Sequence, residues 1–324
     1  MLSFPDFKYK QIAIHIAGGS GEKLRFRADN IFIQDKEEKI LFQHSCHKLF
    51  ALFIIGETSI ASYAIQKAVA FAFPIILMNR NLKVYAKINC GAEGNTLLRT
   101  RQYADRERAS LIAKELISQK LNNQISLLKS LRYLSEKDKE TIAFMENLDP
   151  RNAENTRELM GIEGIASRLF FENYFRPLNW TRREPRCRRD IYNLLLDIGY
   201  TYLFHFVDAM LSLYGFDTFC GVHHTLFYHR KSLVCDIVEP FRSIIDQRIR
   251  KAYNLRQINP EDFSFHNYEY RLNFDKQAHY TKLFLKDILE RKEEIFRFCQ
   301  NYYRWFIQGK PIGEFPKFEI LGKK

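Results

Sequence analysis

The chain has 324 residues, 46% of them hydrophobic, enough to bury a sizeable core and to fill two domains. Lys and Arg number 50 against 38 Asp and Glu, a formal charge of +12 with a pI near 9.3, which favours a polyanionic partner without saying which one. Six cysteines (46, 90, 187, 220, 235 and 299) include no C-x-x-C pair, which argues against a zinc knuckle and a disulfide framework and predicts reduced thiols.

The N-terminal MLSFPDFKYK is too polar for a cleavable signal peptide. Short β-type runs follow at Gln11–Ala17, Lys23–Phe26, Asn30–Gln34 and Lys39–Gln43, with a turn at Gly18, Gly19 and Gly21 and a charged loop at Asp35–Lys39. GGSG lacks the Gly-Lys-Ser/Thr ending of a phosphate loop, so a plain turn is predicted. Leu52–Ile55 reads as a buried strand. Ser59–Ala72 reads as a helix, with Ala61, Ile65, Ala68 and Ala72 at helical spacing, and PIILMN and KVYAKI as the last strands. Glu57, Gln66 and Lys67 interrupt the apolar stretches of Leu49–Asn79, so no membrane span is expected and a reducing cytoplasm fits.

From Leu97 to Asn147 good helix formers dominate. Leu111, Ile112, Leu116, Ile117, Leu121, Ile125 and Leu128 recur every three or four residues, until Asp149–Pro150 breaks the run. Further helices are predicted over Thr156–Asn173, Asp190–Tyr214, Ser232–Tyr253 and Asp275–Phe306. Beyond Gly309, KPIGEFPKFEILGKK holds two prolines and two terminal lysines and is expected to be loose. The chain therefore reads as α+β: a β-rich domain over 1–88, a larger all-α domain over 89–308, and a flexible tail over 309–324.

Candidate chemistry gathers in three segments. In GVHHTLFYHRKSLVCDIVEPFR, from Gly221 to Arg242, two histidines precede Asp236 and Glu239, which share one face of a predicted helix at i and i+3. An imidazole with carboxylates suits a divalent cation, and carboxylates beside apolar residues need something positive to neutralise them. Either carboxylate taken alone reads more simply as solvated or paired with Arg242. In MGIEGIASRLFFENYF, Glu163 stands among small and apolar residues, where Gly161 and Gly164 are expected to let another element approach closely. RPLNWTRREPRCRR holds Arg176, Arg182, Arg183, Arg186, Arg188 and Arg189 around Trp180, forks that match phosphate oxygens beside a ring able to stack on a base. A solvated basic loop tied to acidic neighbours would look the same, but the net charge favours DNA contact. His223 and His229 flank His224 as further candidates for ligation, hydrogen bonding or phosphate contact, whereas His15, His205 and His266 show no partnering pattern.

The order GIEG-x-A, Arg-rich loop, DIYNLLLDIGYTYL, G-x-x-H and SL-x-x-D-I-x-E-x-F-R resembles the CRISPR-associated integrase, the DNA endonuclease subunit of the spacer-acquisition machinery. The likeness extends over residues 10 to 305, including FALFIIGETSIASYAIQKAVAFAFPIILMNRNLKVYAKI and TRQYADRERASLIAKELISQKLNNQISLLKSL. It implies a β-sandwich-like N-terminal dimerisation domain and a helical catalytic domain. By matched motif, it implies that Glu163, His224 and Glu239 hold one Mg²⁺ or Mn²⁺. Asp236 is then an additional ligand or supports the ligands from behind, and His223 could substitute for His224. The implied function is metal-dependent insertion of new spacers into a CRISPR array by 3′-hydroxyl transesterification on double-stranded DNA. The implied assembly is a homodimer, two of which are bridged by a small ferredoxin-fold partner into a hetero-hexamer away from any membrane. A nuclease acting on branched or single-stranded DNA would use the same residues. A non-catalytic nucleic-acid-binding scaffold is the alternative of another class.

Overall fold

The computed structural model describes residues 3–19, 21–89, 94–178, 180, 182–224 and 230–322; His229 and Cys90 lie outside the described residues. Contacts divide the chain into two units, Met1–Asn95 with Ala209–Phe216, and Thr96–Asp208 with Asp217–Lys324. A short segment far along the chain groups with the first unit.

In the first unit a short helix α1 (Phe4–Lys8) leads to β1 (Gln11–Ile16), β2 (Lys23–Arg27), β3 (Asn30–Gln34), β4 (Ile40–Ser45), β5 (Leu49–Ile55), β6 (Ser59–Ile60), helix α2 (Ser62–Ala70), β7 (Ile75–Met78) and β8 (Val84–Ile88). One sheet runs β1-β5-β7-β8, with β1, β5 and β7 parallel and β8 antiparallel; the other runs β4-β3-β2-β6. Leu24, Ile31 and Ile33 from one sheet share a core with Leu52, Ile54 and Ile75 from the other and with Ala64 and Ala68 of α2. All seven residues of β5 are buried, as a central strand covered on both faces requires. The sandwich-like expectation holds. The glycine segment is a plain turn in which the Gly18 and Gly19 amides donate to Glu22 Oε1 at 2.8 and 3.2 Å. His15, to which the sequence assigned nothing, lies buried with Nε2 2.5 Å from Glu22 Oε2.

The second unit contains α3 (Thr96–Ala104), α4 (Arg106–Lys129), α5 (Glu136–Glu146), α6 (Thr156–Tyr174), α7 (Ile191–Tyr214, whose last turns group with the first unit), α8 (Ser232–Val238), α9 (Arg242–Asn254), the hairpin β9 (Phe263–His266) and β10 (Glu269–Leu272), α10 (Gln277–Glu290) and α11 (Lys292–Ile307). Local signals start these helices: Asp105 Oδ1 accepts from Arg108 N at 3.0 Å, Asn155 Oδ1 from Glu158 N at 3.0 Å, and Ser135 and Asp138 form a reciprocal cap. Helix α7 is long and apolar enough to cross a membrane by composition, but 78% of its most apolar window is buried inside the protein.

The second unit is mostly helical as expected, and the hairpin is one β element within it that the sequence did not announce. Its Asn267 and Tyr268 carry positive φ angles of 50° and 62°, the geometry of a tight two-residue turn that no Gly marks. Two other expectations are corrected. The tail is not loose: Phe315, Phe318 and Ile320 are buried. Gln119 and Asn123 of α4 pair its backbone, Gln119 Nε2 donating to Pro316 O at 2.9 Å while Phe318 N and Ile320 N donate to Gln119 Oε1 at 3.0 Å and Asn123 Oδ1 at 2.9 Å. Apolar residues alternating with polar ones in FPKFEI outweigh the two prolines. Finally, a Cβ added at Gly161 or Gly164 would meet nothing within 4 Å, so these glycines face open space instead of a close neighbour.

Candidate metal centre and nucleic-acid interface

Three elements of the second unit converge on one part-buried cation. Helix α4 contributes Lys120, α6 contributes Glu163, and a single 3₁₀ turn, Glu239–Phe241 between α8 and α9, contributes Glu239. Pro240 cannot donate an amide to the preceding helix, and its carbonyl accepts from Asn123 Nδ2 of α4 at 3.0 Å, which pins the turn beside Lys120. Lys120 Nζ stands 2.6 Å from Glu163 Oε1 and 2.7 Å from Glu239 Oε2, and Arg242 Nε donates to Glu239 Oε1 at 2.9 Å.

The electrostatics follow from that placement. Burial would lower the Lys120 pKa, but Glu163 and Glu239 more than offset it and hold the ammonium charged. Burial pushes Glu163 up, yet Lys120 and His223 bring it well below the usual carboxylate range. Glu239 is likewise held low against burial, by Arg242 and Lys120. His223 Nε2 donates to Glu163 Oε2 at 2.9 Å; burial disfavours its charge, and the surrounding carboxylates raise its pKa on balance.

Asp236 serves a different purpose. Its fully buried carboxylate accepts the amides of Val222, His223 and His224 at 2.6, 3.1 and 3.0 Å and the His224 Nδ1–H at 2.6 Å. It is the clamp that folds the histidine loop. Gly221 makes the clamp possible, since a Cβ there would stand 2.5 Å from Ser232 Cβ and 2.8 Å from Asp236 Oδ2. The carboxylate behind Nδ1 also fixes the tautomer that leaves Nε2 as the free acceptor of His224, an arrangement common behind metal-bound imidazoles. A cavity of about 240 Å³, lined by Ala113, Asn155, Leu159, Val222, His223 and His224 among others, opens onto the two rings.

Among the described residues no three His, Cys, Asp or Glu side chains form a ligating array as they stand. The donor set nonetheless fits a divalent cation. Two carboxylates point at one positive charge, and His223 Nδ1 is buried without a hydrogen-bond partner. The structure thus brings Glu163 and Glu239 together and sets His224 against Asp236. It adds His223 and Lys120 to the group. Nothing in the sequence reading pointed to Lys120, although a lysine on the same helical face as Leu116 and Ile117 was the available signal.

The arginine loop divides into tied and untied members. Arg176 donates to Asp138 Oδ1 at 3.0 Å and also contacts Asn173; Arg183 binds Asn193 Oδ1 at 2.8 Å and Asp197 Oδ1 at 2.5 Å. Arg182 and Arg189 share Glu184 while staying about two-thirds exposed or more. Arg186 and Arg188 adopt positive φ angles of 67° and 46°, and their guanidinium groups make no ion pair among the described residues. Trp180 is not a stacking platform as expected: its ring packs 5.3 Å from both Phe171 and Phe175.

A sandwich-like first unit followed by a mostly helical second unit is the fold of several solved chains. The chain aligns over 97% of its length with a Cas1 protein from Thermotoga maritima, TM-score 0.80 at 18% identity, covering all of that chain. It aligns over the same share with a casposase bound to integration product, TM-score 0.76 at 17% identity and 96% of that chain. It also matches a chain of a Cas6-RT-Cas1–Cas2 complex, TM-score 0.81 at 20% identity, of which it spans 36%. These likenesses define the fold class. The family profile described as CRISPR associated protein Cas1 matches residues 16–286, and the chain belongs to that family. A CRISPR-associated endonuclease Cas1 of Thermodesulfovibrio yellowstonii is 29% identical over 65% of this chain and 70% of its own length; one of Archaeoglobus fulgidus is 27% identical over 85% and 87%.

Proposed function

We propose that this protein is a divalent-metal-dependent DNA integrase that inserts spacers into a CRISPR array, with Glu163, Glu239 and His224 as the metal-holding residues. The observation that carries this reading is the convergence of the buried Glu239 and the part-buried Glu163 carboxylates on a single cation at Lys120. The names of the relatives, CRISPR-associated endonucleases, and the casposase neighbour bound to integration product support nucleic-acid strand chemistry at this site.

In the reaction, a DNA 3′-hydroxyl oxygen forms a bond to phosphorus as the bond from that phosphorus to the 3′-oxygen of the repeat border breaks. The attacker releases its proton and the departing oxygen gains one, so one phosphodiester replaces another and no nucleotide is consumed. A bound Mg²⁺ or Mn²⁺ would polarise the scissile phosphodiester and offset charge on the attacking and leaving oxygens. Asp236 orients the His224 ring and fixes the 221–224 loop, while His223 holds the second oxygen of Glu163. The open surface over Gly161 and Gly164 gives a duplex access beside Glu163. Arg186 and Arg188, with Arg182 and Arg189, would hold the backbone without reading sequence, as a protein inserting varied DNA requires. The sandwich-like domain would dimerise, and a small second partner would bridge two such dimers; a structural neighbour comes from a Cas6-RT-Cas1–Cas2 complex.

An assay with a 3′-hydroxyl duplex and a repeat-bearing plasmid tests this. Joined products in Mn²⁺, lost in EDTA and in Glu163→Gln, are expected; fragments without joined products would leave a nuclease, and unchanged DNA transactions in Glu163→Gln would leave a scaffold.

A further inference from the structure

Glu163, Glu239, Lys120 and Arg242 form a charge set, two carboxylates against an ammonium and a guanidinium, linked by contacts of 2.6, 2.7 and 2.9 Å, with His223 Nε2 donating to the second oxygen of Glu163 at 2.9 Å. The Glu239 side chain is 3% exposed and that of Lys120 12%. A divalent cation entering this set brings two positive charges into a buried group that is already neutral, which low dielectric makes unfavourable. Two changes together restore the balance: Lys120 withdraws, removing one positive charge, and an anion arrives with the cation, adding one negative charge.

Lys120 is the exchangeable member. Its ammonium rides on a flexible stem and occupies the point where both carboxylates converge, at the side where Glu163 is open to solvent (19% exposed). Arg242 is anchored away from that point, on the far oxygen of Glu239, with its guanidinium 4.6 Å from the Tyr200 ring centroid. The anion that strand transfer brings to this site is a DNA phosphodiester.

We propose that Lys120 is a resident counter-cation that pairs the two carboxylates in the metal-free protein and makes divalent-cation binding contingent on a DNA phosphate. This rests on the metal reading above. Cation and DNA then bind cooperatively, each raising the affinity of the other by the same factor. Removing Lys120 leaves the carboxylates short of one positive charge and frees the cation site from dependence on DNA.

The experiment is a Mn²⁺ titration followed by electron paramagnetic resonance, with and without a 3′-hydroxyl duplex, on wild type, Lys120→Met, Lys120→Arg and Glu239→Gln. In wild type the duplex should tighten Mn²⁺ binding about tenfold or more. Lys120→Met should bind Mn²⁺ about tenfold tighter than wild type in the absence of DNA, with the DNA effect falling below about threefold. Lys120→Arg, which keeps the charge, should retain most of the DNA dependence. In EDTA, Lys120→Met should melt below wild type, and Mn²⁺ should raise its melting temperature more than that of wild type. A Lys120→Met protein that binds Mn²⁺ no tighter than wild type overturns the proposal, as does a wild type whose Mn²⁺ affinity ignores DNA. Glu239→Gln separates the two layers: Mn²⁺ binding equal to wild type there sinks the metal reading itself, whereas loss there beside an unaltered Lys120→Met sinks only the role of Lys120.

Discussion

Replacing Asp236 with Asn separates a structural clamp from a metal ligand. The carboxylate accepts two hydrogen bonds on each oxygen: Val222 N and His223 N on Oδ2, His224 N and His224 Nδ1 on Oδ1. An Asn side chain keeps one oxygen and turns its amide nitrogen, a donor, toward the other pair. Whichever way the amide faces, two buried donors lose their acceptor. Each such loss costs about 1–3 kcal/mol, so Asp236→Asn should destabilise the protein by about 4 kcal/mol. Urea unfolding at neutral pH reads this as a lowered midpoint with an unchanged slope. Hydrogen exchange should show faster exchange at the amides of residues 222–224 and unchanged exchange in α4. A variant that keeps wild-type stability and amide protection while losing Mn²⁺ binding would refute the clamp and make Asp236 a ligand.

Other perturbations test separate parts. Arg186→Ala and Arg188→Ala should each weaken DNA binding and reduce its salt dependence by about one unit of slope, with no change in melting temperature; Arg183→Ala, which removes one partner each from Asn193 Oδ1 and Asp197 Oδ1, should instead lower the melting temperature. Phe318→Ala removes a buried ring that packs 4.8 Å from Phe241, next to the Glu239–Phe241 turn, and should cost about 3–5 kcal/mol by denaturant unfolding. Asp246 is buried with Oδ1 accepting the Tyr200 hydroxyl at 2.5 Å; burial pushes its carboxyl up to about 7, against the opposing pull of Tyr200, Arg242, Lys120 and Arg183. Between the ordinary Asp range and pH 7 the folded chain holds a proton that the unfolded chain releases, so wild-type stability should fall across that window as pH rises. Asp246→Asn should abolish that decline, which amounts to roughly 4 kcal/mol at most; stability curves parallel to wild type from pH 4 to 7 would contradict the assignment.

Strand and helix positions were legible wherever one periodicity prevailed. Asn30–Gln34 alternates cleanly and is β3 with the same bounds, and the α6 pattern ended one residue from its observed Tyr174. Breaks were harder to see. The Asp275–Phe306 pattern is two helices because Arg291 leaves the helical backbone, and Ser232–Tyr253 is cut at the Glu239–Phe241 turn by Pro240. The carboxylate pair and histidine loop were visible as motif spacing, since each lies on a short local segment. Lys120 was not, because its meaning depends on two partners 43 and more residues away. The tied arginines were invisible for the same reason: Asp138 and Asp197 become partners only once α5 and α7 pack beside the loop.

Whether Glu163 and Glu239 share one metal ion decides the proposed chemistry. Anomalous diffraction at the manganese edge, from crystals grown with Mn²⁺ and a 3′-hydroxyl duplex, locates that ion directly. A single peak within about 2.5 Å of both carboxylates, with the Lys120 ammonium displaced from between them, is the predicted result. Lys120 still bridging Glu163 and Glu239, with no anomalous density beside either, would contradict it.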